Sequence, residues 1–329
     1  MEAITIQCSN KDCRIAEDGK CVEGLAREVC PNFGREPPAS EPDDESDEPE
    51  AWTLSGAGRL SKQRAAAILR RDAGRVVAII GPHDAGKTSL IAGFYDLFQD
   101  GPISDFQFSG SQTLHAFEMS CHDTRDASGR TVPHINRTPL GDAEFFHLGV
   151  DHRVTGARVA LLIGDRAGED YRSAANDVQA VGEFFEVKRA DTLTFLVDAC
   201  RLLDPVTRHQ ARIEVLRTAQ AMVDGGATSP RQRVAVVLTK VDEVRGSVDE
   251  ARVMGDFSSV IGQLRTNFGS KFAAIESFET AAQPKKVAAP RGTGLSELLT
   301  YWLAEQEAVP YVAPNAMHEE RVYRRLKEG

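Results

Sequence analysis

Apolar residues in this chain gather into short unbroken runs, each followed by a turn and then by an amphipathic stretch. Val76 to Ile80, Thr192 to Asp198 and Arg233 to Thr239 are runs of this kind. Continuous apolarity over so few residues predicts strands buried on both faces. Glu144 to Val150 and Arg158 to Gly164 read as two more strands, and the short Asp151 to Ala157 between them predicts an antiparallel hairpin. Ala274 to Thr280 reads as a last strand. Helical spacing covers Ser61 to Arg71, Ser89 to Phe98, Thr207 to Val223, Val248 to Phe268 and, after Gly292-Thr-Gly294, Leu295 to Glu305. Alternation of this kind predicts a three-layer α/β/α domain, with a mostly parallel sheet and one antiparallel strand. Ligands of such sheets sit at the carboxyl ends of the strands.

The flanks read differently. Residues 1–35 hold Cys8, Cys13, Cys21 and Cys30, four of the six cysteines. Four thiols in a piece too short to bury a core suggest one tetrahedral Zn²⁺ site in a small zinc-knuckle-like module. The alternative is a tail of reduced thiols. Residues 36–54 begin with a Pro-rich stretch, Glu36 to Glu50, that carries eight acidic and no basic residues. It reads as a self-repelling linker. Residues 55–310 form the globular domain, with a long polar insert at about 101–142, and 311–329 a C-terminal tail.

Charge narrows the function classes. Setting the eight linker acids aside reduces the formal −10 to −2, so the folded part is nearly neutral. That argues against a nucleic-acid reader, as does the lack of a basic, aromatic-rich patch in residues 1–35. No apolar run reaches membrane-spanning length, and the N-terminus lacks a signal-peptide core. The expectation is a cytoplasmic chain.

The chemistry begins at Gly81-Pro-His83-Asp84-Ala85-Gly86-Lys87-Thr88-Ser89, between the first predicted strand and a helix. Glycines let backbone N–H groups turn inward around phosphates, and the helix N-terminus adds partial positive charge. Lys87 supplies a point charge, and the Thr88 hydroxyl is a hard oxygen ligand for Mg²⁺. Asp165-Arg-Ala-Gly168-Glu169 closes one strand of the hairpin. Its carboxylate can reach a magnesium ion held by Thr88, and the Gly168 N–H can bond a terminal phosphate. Thr239-Lys240-Val-Asp242 closes the fifth strand. A carboxylate there accepts two parallel hydrogen bonds from guanine N1–H and its exocyclic amine, a donor pair that adenine lacks. Glu279-Thr-Ala281-Ala282 ends the last strand, where small residues let backbone N–H groups approach the base carbonyl.

These four motifs in order resemble the series of the TRAFAC-class, Ras-like P-loop GTPases, over roughly residues 74–306. The insert, with Gly110-Ser-Gln-Thr-Leu114 and Phe117-Glu118, and the cysteine-rich preface resemble a bacterial subgroup linked to the double-GTPase type. That subgroup is associated with multi-gene conflict or defence systems. The resemblance implies GTP and GDP as ligands, Mg²⁺ as cofactor and a protein effector or activator as partner. It implies that Lys87 stabilises β- and γ-phosphate charge and that Thr88 and Asp165 order the metal. Gly168 would sense the γ-phosphate. Lys240 and Asp242 would hold guanine, supported by the Ala281 and Ala282 backbone. The switch threonine that joins the metal is Thr138 in first place, then Thr131, then Thr113 and Thr124.

Three positions depart from the pattern. Glu169 stands where a water-orienting glutamine is usual. Its carboxylate would either orient water or, beside phosphate charge, leave hydrolysis slow and partner-dependent. Asp84 stands where some relatives bind a monovalent cation, which raises K⁺ as a cofactor. Thr239 replaces the common asparagine. Arg137 reads either as an internal arginine finger or as an ordinary switch-loop residue, and His115, His122 and His134 read as scattered loop histidines. The competing function is a non-hydrolysing, GTP-bound scaffold.

Overall fold

The computed structural model describes residues 58–122, 141–174, 177, 179–284 and 289–305. The chain divides into a unit ending at Leu54 and a unit from Ser55 onward, and every described residue belongs to the second. The elements run α1 (Lys62–Leu69), β1 (Gly74–Ile80), α2 (Lys87–Asp100), β2 (Phe106–Gly110), α3 (Leu114–His122), β3 (Glu144–His152) and β4 (Arg158–Asp165). They continue α4 (Gly168–Ala174), α5 (Phe185–Arg189), β5 (Thr192–Asp198), α6 (Ala199–Leu203) and α7 (Arg208–Asp224). Last come β6 (Arg233–Thr239), α8 (Glu250–Phe268), β7 (Ala274–Glu279) and α9 (Leu295–Leu303).

The seven strands form one sheet in the order β2-β3-β4-β1-β5-β6-β7. From β4 to β7 all neighbours are parallel, and β3 runs antiparallel to both β2 and β4. The single reversed strand and the predicted hairpin are therefore present. The strand β2 and the helix α3 fall within the stretch read as a polar insert. Only Phe106 and Phe108 alternate in β2, too short a pattern to stand out from its polar neighbours.

Each buried strand alternates between two cores, because successive side chains leave opposite faces. From β1, Val77 and Ile79 join Leu90, Ile91 and Phe94 of α2, Phe117 of α3 and Trp302 of α9. Ala78 and Ile80 face the other way, with Val215 and Met222 of α7 and Phe257 and Leu264 of α8. A smaller patch on that second face seats α1 through Ala65 and Ile68 on Val76, Phe145 and Leu162. Phe94 and Trp302 pack 4.8 Å apart, and the Trp302 indole N–H donates to the buried Thr194 hydroxyl at 3.0 Å. Truncating either ring costs about 3–5 kcal/mol. This double-sided packing holds the carboxyl ends of β1, β4, β5, β6 and β7 in one row. Among the described residues, no helix is long and apolar enough to cross a membrane.

Candidate functional site

The phosphate-type loop lies between β1 and α2. Asp84 and Gly86 take left-handed backbone, with φ of 60° and 89°. Glycine adopts that conformation freely, and aspartate is among the few other residues that tolerate it. The first helical bond of α2 runs from Leu90 N–H to the Gly86 carbonyl at 2.8 Å. The N–H groups of Lys87, Thr88 and Ser89 precede it and emerge at the positive end of a 14-residue helix. Lys87 is buried, and its ammonium donates to the carbonyls of Gly81 and Pro82 at 2.9 and 3.0 Å. Burial lowers its pKa, opposed by the charges of Asp165, Glu169 and Asp84. His83 Nε2 lies 3.2 Å from Asp84 Oδ1 at the exposed rim.

Asp165 is the last residue of β4, fully buried, and stands in parallel register with Ile79 of β1. Three residues on, Gly168 packs on the phosphate loop itself. A Cβ there would lie 2.5 Å from His83 N and 2.6 Å from the Pro82 carbonyl carbon, inside any contact that real Cβ atoms make. Only glycine lets the two motifs meet this closely. Arg166 turns away from the loop. Its Nε donates to Glu186 Oε1 at 2.7 Å and its Nη2 to Oε2 at 3.1 Å, with a further bond to the Gly141 carbonyl. The guanidinium also covers the Phe184 ring, and the Tyr171 hydroxyl donates to Glu186 Oε1 at 3.2 Å. The residues after Asp165 are in this way bolted to α5 and to the start of the segment that leads into β3.

The base-type motifs lie on the far side of the loop. The Thr239 hydroxyl donates to the Ala85 carbonyl at 2.8 Å, so the end of β6 grips the phosphate loop directly. Lys240 has left-handed backbone, φ 58°, and its ammonium sits 2.8 Å from Asp198 Oδ2 at the end of β5. The other Asp198 oxygen caps α6 by accepting from Cys200 N–H. Asp242 is buried. Val241 N–H donates to the Thr280 carbonyl, and Ala281 N–H to Thr293, which ties this motif to the β7 loop. Because Ala281 N–H is engaged there, Ala282 N–H is the donor left for a base carbonyl in the predicted pair. Burial, and next the Asp198 charge, push the Cys200 thiol up to about 11, which removes it as a nucleophile beside this motif.

The structure brings His83, Asp84, Ala85, Gly86, Lys87, Thr88 and Ser89 together with Asp165, Gly168 and Glu169 at one end of the sheet, and Thr239, Lys240, Asp242, Ala281 and Ala282 line the adjoining loops. Thr138, Thr131, Thr124 and Arg137 lie outside the described residues, as do Cys8, Cys13, Cys21 and Cys30. Thr113 is described, and its buried hydroxyl bonds the backbone of His147 on β3. Burial lowers the His147 pKa, and its Nδ1 accepts from Gln112 N–H. Among the described residues no cluster of three or more His, Cys, Asp or Glu side chains could hold a metal. Sequence reasoning missed Arg59, Glu186 and Asp198, which hold Asp165, Arg166 and Lys240. Only Asp198 carried a signal, its place at a strand's carboxyl end.

No curated protein sequence matches this chain. Among solved structures, it is similar to a chain titled "Signal recognition particle receptor SRb-GTP/SRX complex from Chaetomium thermophilum". The identity is 14%, over 70% of this chain and 95% of that one, with a TM-score of 0.38. Residues 75–303, well over half of the sequence, match the model of the Double-GTPase 2 family. With four nucleotide motifs gathered at one end of its sheet, the chain belongs to the Double-GTPase 2 family and is a GTP-binding protein of the P-loop type.

Proposed function

We propose that this protein hydrolyses GTP to GDP and phosphate as a magnesium-dependent switch of the TRAFAC class. The observation that carries the reading is the double attachment of the phosphate loop. Gly168 packs on its backbone from one side and Thr239 bonds its Ala85 carbonyl from the other. A change at the γ-phosphate would therefore be felt in the Asp165–Ala174 segment, and a bound guanine would steady the same loop.

In this reading the N–H groups of Lys87, Thr88 and Ser89 bind the phosphates, and Lys87 exchanges the Gly81 and Pro82 carbonyls for phosphate oxygens. The donors at hand fit magnesium: one hydroxyl at Thr88 and one buried carboxylate at Asp165. Mg²⁺ takes most of its remaining ligands from phosphate and water. When bound, the ion would neutralise charge that develops on the phosphates. Thr138 would complete its shell, and Glu169 would orient the attacking water. Lys240 and Asp242 would select guanine. A monovalent cation at Asp84 and a protein partner in a bacterial conflict system belong to the same proposal on the resemblance, and one Zn²⁺ on Cys8, Cys13, Cys21 and Cys30 on the number and placing of the thiols.

GTP turnover by the full chain, with Mg²⁺ and K⁺, tests this against Lys87→Ala and Asp242→Asn. The first should abolish turnover and the second should cost guanine preference. Wild-type turnover equal to that of Lys87→Ala would refute hydrolysis. A second reading, a GTP-bound scaffold, is favoured by Glu169, whose charge lies close enough to act on Lys87. It expects tight GTP retention without turnover.

A further inference from the structure

Arg59 stands on the chain just before α1, outside every nucleotide motif. Its neighbour Leu60 is fully buried and exchanges two backbone hydrogen bonds with Phe145, Leu60 N–H to Phe145 O at 2.8 Å and Phe145 N–H to Leu60 O at 2.9 Å. This pair staples the arm across the start of β3, a part of the strand beyond the residues that β2 covers. Residue Glu144 on β3 is the register partner of Asp165 on β4. The staple therefore delivers Arg59 to Asp165, with Nη1 at 3.2 Å from Oδ2. The same nitrogen is 3.7 Å from Glu144 Oε2, and the guanidinium lies over the Phe146 ring at 4.9 Å. Arg59 is only 18% exposed and Asp165 not at all.

We propose that Arg59 is a positioning residue for the magnesium site: it holds the Asp165 carboxylate oriented for the metal. The inference rests on the magnesium reading above. Burying a carboxylate is costly unless a charge or hydrogen bonds offset it, and Arg59 supplies the opposite charge from a backbone that two hydrogen bonds and a buried leucine hold in place. Groups one layer behind a metal ligand fix its orientation, and their loss costs about 10–100-fold in metal affinity. The Glu144 contact is longer and half exposed, so it contributes little to the arrangement.

The test uses the full chain loaded with a fluorescent GDP analogue. Release of the analogue is followed while free Mg²⁺ is varied, and the midpoint of the magnesium effect is read for wild type, Arg59→Lys, Arg59→Gln and Glu144→Gln. The expected midpoint rises about 10–100-fold for Arg59→Gln, rises less for Arg59→Lys and stays at the wild-type value for Glu144→Gln. Thermal unfolding of each variant separates a folding defect from a metal effect, and Arg59→Lys keeps the charge should Arg59→Gln fold poorly. A magnesium effect in wild type with the same or a lower midpoint in both Arg59 variants would overturn this inference and leave the magnesium reading standing. No magnesium effect in wild type would overturn both.

Discussion

Thr239→Val is the sharpest perturbation of the nucleotide loop, because it changes one donor and almost no volume. In the native chain the Thr239 hydroxyl, itself buried, donates to the Ala85 carbonyl at 2.8 Å and lies 3.3 Å from the Val197 carbonyl. A hydroxyl has one proton to give, so the shorter contact is the bond. Valine keeps the shape and leaves the Ala85 carbonyl without that donor. Stranding a buried acceptor costs about 1–3 kcal/mol. If the loop stays in its native form, the cost appears as lost stability. If the loop relaxes, the binding-competent form becomes a fraction of the population and the apparent affinity falls by that fraction. The two effects draw on the same free energy, so affinity alone falls by at most about 5- to 150-fold. Stability alone falls by at most about 2–12 °C, at 2–4 °C per kcal/mol for a domain of this size.

Equilibrium binding of a fluorescent GDP analogue and a thermal melt of the nucleotide-free chain measure both parts. Thr239→Asn should restore the bond with its amide donor and return both readings close to wild type. A Thr239→Val protein with unchanged affinity and unchanged melting would refute the view that β6 grips the phosphate loop. An affinity loss that Thr239→Asn fails to repair would point to backbone rearrangement instead of the missing donor.

Other expectations follow from single contacts. Glu186→Gln removes one member of a buried ion pair and should lower the melting temperature by about 6–20 °C, from about 3–5 kcal/mol. Replacing both members, Arg166→Met with Glu186→Leu, should recover most of that loss in the same melt. Gly168→Ala forces a methyl into the Pro82–His83 backbone and should weaken binding of a GTP analogue by about 5- to 150-fold, from about 1–3 kcal/mol of overpacking. Burial lowers the Lys87 pKa, so above that lowered value the unfolded chain binds more protons than the folded one. Stability should therefore rise with pH toward the ordinary lysine range, and nucleotide affinity should fall as Lys87 loses its charge. Lys87→Met should remove the stability slope in melts taken between pH 8 and 10.5.

What the sequence made legible follows from where its signals lie. Strands buried on both faces produce continuous apolar runs, so β5 and β6 stand out with both ends as read, and β1 with its carboxyl end exact and its start two residues earlier. The candidate residues sit at or just beyond the carboxyl ends of β1, β4 and β6, where a strand must stop and a loop must begin, and so Lys87, Asp165, Thr239 and Asp242 are readable from order and position alone. The elements that escaped are short or at the edge. β2 has two inward aromatics, and α3 rests on Phe117 and Cys121 with only two turns to repeat its pattern.

The residues that hold the site escaped for a different reason. Arg59, Asp198 and Glu186 act across the sheet, on partners 106, 42 and 20 positions away in the chain. No local period records such a pairing. Each matches a charged residue inside a nucleotide motif with an opposite charge that only the fold brings near. Asp165, Arg166 and Lys240 are thus each matched before any nucleotide enters, and Lys87 rests on its own loop carbonyls. A site so balanced keeps its charges matched in the folded chain before a ligand arrives. In the reading proposed above, phosphate would draw Lys87 from its loop carbonyls and guanine would meet the loop that Lys240 opens, while Arg59 would keep Asp165 aligned for a metal. In that reading, loosening the Arg59 pair should weaken a metal's hold and loosening the Asp198 pair should change how readily the Lys240 loop meets a base, so partners remote in the sequence bear on affinity along with the motifs they hold.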